Sequence, residues 1–134
     1  MSATERFFDT NVLLYLLSAD EAKSDRAERE LLAGGVVSVQ VLNEFASVTV
    51  RKLNMSIAET RESLAAIRAI CAVVPVSEET HDKGLQLAER YGLSVYDAMI
   101  AASALLAGCK TLLSEDMQHD QVLGRTLRIR NPFL

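Results

Sequence analysis

Tryptophan is absent, and four phenylalanines and three tyrosines are the only other large aromatics in 134 residues. A core of stacked rings is thereby excluded, and Leu, Val, Ile and Ala must fill the interior. Only two cysteines occur, Cys71 and Cys109, each in an apolar neighbourhood and without metal-ligand spacing. That excludes a disulfide scaffold and a cysteine-ligated zinc centre, and it reads as two buried free thiols. The two histidines, His81 and His119, are too few for a histidine-rich zinc site. Two prolines and six glycines are few, and apart from Gly84 they sit at element boundaries. No linker, repeat or low-complexity tract is present, so residues 1–134 are expected to form one domain. The apolar run "VLLYLL" (12–17) is far shorter than a bilayer span. "MSATER" is short and polar, unlike a signal peptide, and a soluble cytoplasmic protein is expected. Positive charge is also in short supply: 14 Lys and Arg stand against 18 Asp and Glu, for a net charge of −4. A general basic coat is excluded, whereas a local basic rim facing an anionic polymer is not.

What is present is apolar residue in quantity, 49% of the chain, arranged as short runs alternating with longer helical patterns. That alternation predicts an α/β fold around a mainly parallel sheet. Strands are expected at Arg6–Phe8, "VVS" (36–38), "VVPV" (73–76), "TLL" (111–113) and "TLRIRN" (126–131), roughly five in all. Pro75 lacks an amide donor and places the third at a sheet edge. Helices are expected from about Asn11 to Ser18, Lys23 to Ala33, and Ser38 or Gln40 to Leu53. Three more follow: one from the Ser56/Glu59 capping box to near Cys71, one from Ser77 to Gly92, and one from Val95 to Ala107.

Four acids stand out on this plan. Asp9 follows the first strand, and Asp116 follows the fourth in "LLSEDMQHD". Glu44 lies on the polar stripe Gln40–Glu44–Ser47–Arg51, and Asp97 lies three residues after Ser94. Each has an ordinary explanation alone: Asp9, Asp97 and Asp116 suit helix caps and turns, and Glu44 suits a solvated helix face. Their joint placement is what counts, because strand carboxyl ends are where parallel sheets gather functional groups. Four carboxylates meeting there would repel by ~4 kcal/mol per pair at about 4 Å in an effective dielectric near 20. A divalent cation, or protons, would have to relieve that repulsion. All-oxygen ligands favour Mg²⁺ or Mn²⁺ over zinc.

The strings "FFDTNVLLYLL", "VSVQVLNEFASVTVRKL", "LSVYDAMIAASALLAGCKTLLSEDMQH" and the closing "NPF" resemble the PIN-domain ribonucleases, in particular the VapC-type toxins of toxin–antitoxin pairs. The resemblance runs in order along nearly the whole chain. It implies a three-layer α/β/α fold, metal-dependent RNA cleavage, an inhibitory antitoxin and a homodimer. It puts the family's four acids on Asp9, Glu44, Asp97 and Asp116, with Asp9, Asp97 and Asp116 as metal ligands. Thr10, Asn11 and Ser114 fall where supporting hydrogen bonds are expected. Many relatives carry glycine where this chain has Asp120, which reads as a turn residue or an extra peripheral acid. Glu115 is not expected to be a ligand, because sequence neighbours rarely face one ion together.

Arg51, Lys52, Lys110 and the "RTLRIR" arginines are candidates for a basic rim, against the alternative of ordinary solvated charge. Tyr15 and the leucines beside it are core, or part of a partner surface if exposed. Two other classes compete. A receiver-type phosphoacceptor domain would need a phosphorylatable aspartate at the end of a middle strand, and "VSEE" offers no clean match. A non-catalytic PIN-fold interaction module would not need the four-acid set.

Overall fold

The structure is a computed structural model and describes residues 2–134. Six strands form one sheet: β1 (Arg6–Phe8), β2 (Val36–Ser38), β3 (Ala72–Val74), β4 (Thr111–Leu113), β5 (Val122–Leu123) and β6 (Leu127–Arg130). Their order is β3-β2-β1-β4-β6-β5, parallel except for the β5–β6 pair. Six helices accompany them: α1 (Thr10–Leu14), α2 (Glu21–Leu32), α3 (Val39–Arg51), α4 (Ile57–Ile70), α5 (Glu78–Tyr91) and α6 (Val95–Leu106). Helix α6 lies against β2, β4 and β6 with α5 packed on it, and α1 to α4 pack among themselves in a second helical layer. The expected three-layer α/β/α architecture is therefore present. No helix among the described residues is long and apolar enough to cross a membrane.

Local chemistry accounts for the helix starts. Ser38, Ser56, Ser77 and Ser94 each accept a backbone N–H at the third helical position. Gly92 ends α5 in the left-handed conformation that glycine tolerates best. Helix α6 needs no amphipathic stripe, because seven of its residues from Ala98 to Ala104 are buried between sheet and α5.

Three details differ from the sequence expectation. The first helix is α-helical only to Leu14 and tightens into a 3-10 turn over Tyr15–Leu17. Strand β3 starts at Ala72 and stops before Pro75, on the edge as Pro75 required. A sixth strand, β5, pairs antiparallel with β6 around Gly124 and Arg125, both at positive φ. At two residues it is too short to carry a period.

The sheet order reverses between β1 and β4. Strand order runs outward through β2 and β3 on one side and through β4 and β6 on the other. A crevice opens outside the strand ends at such a switch point. The order also differs from the 2-1-3-4-5 arrangement of receiver-type domains, which removes that alternative.

Gly35, just before β2, shows how tightly β1 is packed. A Cβ there would lie 2.5 Å from Cε2 of Phe8 and 3.0 Å from the Arg6 carbonyl oxygen. Phe8 is fully buried and cannot swing aside. Gly35→Ala is expected to destabilise the fold by about 1–3 kcal/mol. A urea midpoint unchanged from wild type would contradict this packing.

Candidate active site

Asp9 leaves β1 in extended conformation and caps α1. Its Oδ1 accepts the Thr10 N–H at 2.7 Å, and its Oδ2 accepts the Ser114 hydroxyl at 2.7 Å. Ser114 is fully buried at the end of β4 and also accepts the Met117 N–H at 3.2 Å. One hydroxyl thus joins the acid after β1 to the loop that carries Asp116.

Thr10 works in two directions. Its N–H binds Asp9, and its hydroxyl donates to Oε1 of Glu44 at 2.7 Å. Gln40, one turn earlier on α3, donates to Oε2 of Glu44 at 3.3 Å and to the Tyr96 carbonyl at 3.1 Å. Glu44 is therefore half-buried and held from both sides, not a solvated side chain. Gln40 also ties α3 to the start of α6, a role its place on a polar stripe did not reveal.

Asp97 sits at the third position of α6, and its N–H donates to Ser94 Oγ at 3.3 Å. In α4 the comparable Glu59 returns a bond to the Ser56 N–H at 3.0 Å and completes a capping box. Among the described residues Asp97 makes no such return bond. Its carboxylate instead faces a cavity of about 320 Å³ that Asp9, Glu44, Asp97 and Asp116 all line, together with Ser47 and Arg51. The four acids singled out in the sequence are thus brought to one place, Asp116 on its exposed rim and Asp9 at its buried floor.

Two supporting assignments need revision. Asn11 does not bind a carboxylate. Its Oδ1 accepts the Glu115 N–H at 3.2 Å, so it holds the loop before Asp116. Lys110 is not part of a rim: it precedes β4, at the amino end of the sheet, and pairs with Glu5 at 3.8 Å. Glu115 is engaged elsewhere: Tyr15 Oη donates to one of its oxygens and Lys23 Nζ lies 3.1 Å from the other. These partners keep its carboxyl below the ordinary value. Lys23 also lies over the rings of Tyr15 and Phe133, tying the closing "NPF" to α2. Tyr15 is thus half-buried in this cluster. It borders a second cavity, of about 380 Å³, which shares Asn11, Leu14, Val48 and Asp116 with the first.

Burial pushes the Asp9 carboxyl from 3.8 up to about 6, against the Ser114 and Thr10 hydrogen bonds that pull it down. The Asp97 and Glu44 carboxylates push it further up. The thiols of Cys71 and Cys109 are raised by burial to about 11, so neither is a nucleophile or a soft ligand at neutral pH.

The donor set suits a hard cation. It is all oxygen, and its buried member resists carrying charge without a counterion. Among the described residues no three His, Cys, Asp or Glu side chains are gathered to hold an ion by themselves. Water would have to complete the shell of any ion held there, as it commonly does for Mg²⁺.

The sequence profile of the PIN domain matches residues 6–123. No curated protein sequence matches the chain. Among solved structures, a toxin–antitoxin complex from Klebsiella pneumoniae is similar with a TM-score of 0.72 and 19% identity, over 95% of this chain and 97% of that one. VapC20 of Mycobacterium tuberculosis, a sarcin-ricin loop cleaving toxin, is similar with a TM-score of 0.67 and 21% identity, over 83% and 89% of the two chains. FitAcB of Neisseria gonorrhoeae also has a TM-score of 0.67, with 18% identity over 96% and 98%.

Proposed function

The chain belongs to the PIN domain family, and from that premise we propose that it is a Mg²⁺- or Mn²⁺-dependent endoribonuclease, the toxin of a toxin–antitoxin pair. The observation that carries the reading is the convergence of Asp9, Glu44, Asp97 and Asp116 on one cavity at the switch point of the sheet. Asp9, Asp97 and Asp116 would hold the ion, in part through water. An ion bound there lowers the pKa of water and neutralises charge that develops on the scissile phosphate.

The chain's own residues supply position. Glu44, fixed by Thr10 and Gln40, orients the attacking water and accepts its proton. Attack at phosphorus breaks the P–O3′ bond, leaving a 5′-phosphate and a 3′-hydroxyl, with the departing oxygen protonated from solvent. Thr10 and Ser114 keep the Asp9 carboxylate from rotating. Arg51, on the cavity wall, is placed to face the phosphate. A cytoplasmic location goes with this reading, because cellular RNA is found there.

An antitoxin segment would block the site from the adjoining cavity, whose walls include Leu14, Tyr15, Leu17, Val48 and Leu53. A homodimer fits a groove on the other side of the notch, where Val39, Val76, Val95 and Tyr96 are exposed and which shares Glu44, Ser47 and Arg51 with the notch. The deciding experiment incubates purified protein with structured RNA, in Mg²⁺ and in EDTA. Cleavage in Mg²⁺ alone supports the reading. No cleavage with either ion would leave a non-catalytic module that has kept the fold.

Metal binding also has a stability signature. A raised carboxyl pKa means that the folded state prefers Asp9 protonated. Its stabilising contribution is complete below the ordinary value near 4 and is lost as pH rises through about 6. At neutral pH the ionised form costs the metal-free protein on the order of 3 kcal/mol. A cation competes with that proton. The rise in Tm caused by Mg²⁺ is expected to be small at pH 5 and large at pH 8, by differential scanning fluorimetry. Equal shifts at both pH values would rule Asp9 out as a ligand.

A further inference from the structure

We propose that a separate, arginine-lined cavity docks the phosphate backbone of the RNA strand flanking the cleaved bond; this rests on the ribonuclease reading above. The cavity is about 530 Å³, larger than the carboxylate notch, and Glu30 and His119 line it together with four arginines, Arg6, Arg26, Arg128 and Arg130. In a chain with a net charge of −4 this is a marked concentration of cations.

The sheet register builds it. Arg6, Thr111 and Arg128 stand side by side across β1, β4 and β6, and Leu113 and Arg130 stand side by side in a later row. Strand β6 alternates strictly: Leu127 and Ile129 are buried, whereas Arg128 and Arg130 are exposed on the other face. Arg6 is already committed, donating to the Glu30 and Gly34 carbonyls and pairing with the Glu30 carboxylate at 3.0 Å. Arg26 approaches Glu30 only to 3.9 Å. Arg128 and Arg130 share one carboxylate, that of Asp120, at 4.0 and 2.9 Å. Four arginines are thus set against the two carboxylates of Glu30 and Asp120, and Arg26, Arg128 and Arg130 are about half exposed.

Three features favour a nucleic-acid backbone. Arginine forks match phosphate oxygens in a bidentate manner. Residues two apart on a strand are about 6.7 Å apart, close to the spacing of consecutive phosphates on one strand. The cavity also reaches the same end of the sheet as the notch, since the Ser114 N–H donates to the Arg130 carbonyl at 3.0 Å while the Ser114 hydroxyl holds Asp9. The two cavities share no lining residue, and Ser114 is the link between them.

Asp120 then limits affinity, because its one carboxylate pairs with both β6 arginines. It lies at φ 68°, which asparagine accepts readily, so Asp120→Asn is a mild change that frees them. The test is fluorescence anisotropy of a labelled 20-nucleotide RNA in EDTA, where nothing is cleaved. Asp120→Asn is expected to tighten binding about fivefold. Arg128→Gln/Arg130→Gln is expected to weaken it at least about tenfold and to flatten the log–log salt slope by about 1.4, for two phosphates. In Mg²⁺ the double variant should raise KM for this RNA and leave kcat unchanged. Variants that bind RNA as wild type does would overturn the proposal, as would a loss confined to oligoglutamate, which would mark an acidic-peptide site. If wild type cleaves RNA and these variants bind normally, the docking site alone fails. If wild type cleaves nothing yet both binding effects appear, the docking site stands and the nuclease reading fails.

Discussion

Asp9→Asn is expected to lower Mg²⁺-dependent RNA cleavage by on the order of 10³-fold, about 4 kcal/mol of transition-state stabilisation. The substitution keeps the side chain's size and its bond from the Thr10 N–H, so the fold should survive. It removes the buried negative charge that balances a cation and leaves an amide where the Ser114 hydroxyl now donates at 2.7 Å. The measurement is single-turnover cleavage of a defined RNA, with the circular dichroism of both proteins as a check on folding. Residual activity within tenfold of wild type would mean that Asp9 is a helix cap and no more. The same variant should also lose the Mg²⁺-induced rise in Tm, a readout that does not depend on turnover.

Ser114→Ala is expected to cost about 100-fold in kcat and to move the acid limb of the pH–rate profile to higher pH. The hydroxyl is fully buried and makes two bonds, donating to Asp9 and accepting from the Met117 N–H. Losing such a support for a ligand commonly costs 10–100-fold. The direction of the pH shift follows from the same contact. The Ser114 hydrogen bond lowers the Asp9 pKa against the effect of burial, so its removal lets that pKa climb above about 6. A merely structural role would lower the rate without moving the limb. Ser114→Thr, which keeps the hydroxyl, should restore the profile if the added methyl is accommodated. A profile that stays in place for Ser114→Ala would remove the positioning role.

The sequence carried the strands and helix starts because they depend on short-range chemistry. Ser56 with Glu59, Ser77 with Thr80, and Gly92 as a stop are interactions within a few residues. The buried helix α6 was legible from its strongly apolar composition, broken only by Asp97 and Ser103 among its non-aromatic residues. Strand β5 was not, because its two residues hold no pattern and its pairing is decided by a turn of left-handed Gly124 and Arg125. That turn region also explains the departure at Asp120. Its φ of 68° is one that glycine adopts freely, and here the Asp120 side chain turns to Arg130 and Arg128.

The four acids were visible as candidates, yet each also suited a cap or a solvated face. The residue types and their order along the chain determined which carboxylates were available and which helices they opened. Only the tertiary structure decided that Glu44 from α3 and Asp97 from α6 share a cavity with Asp9 and Asp116. The same is true of Asn11 holding a loop backbone, and of Arg128 and Arg130 lining a separate cavity. The reason is physical: a helix cap is settled by bonds spanning three or four residues, whereas burial, proton affinity and charge pairing are set by groups up to about a hundred positions apart, brought together only by the sheet order.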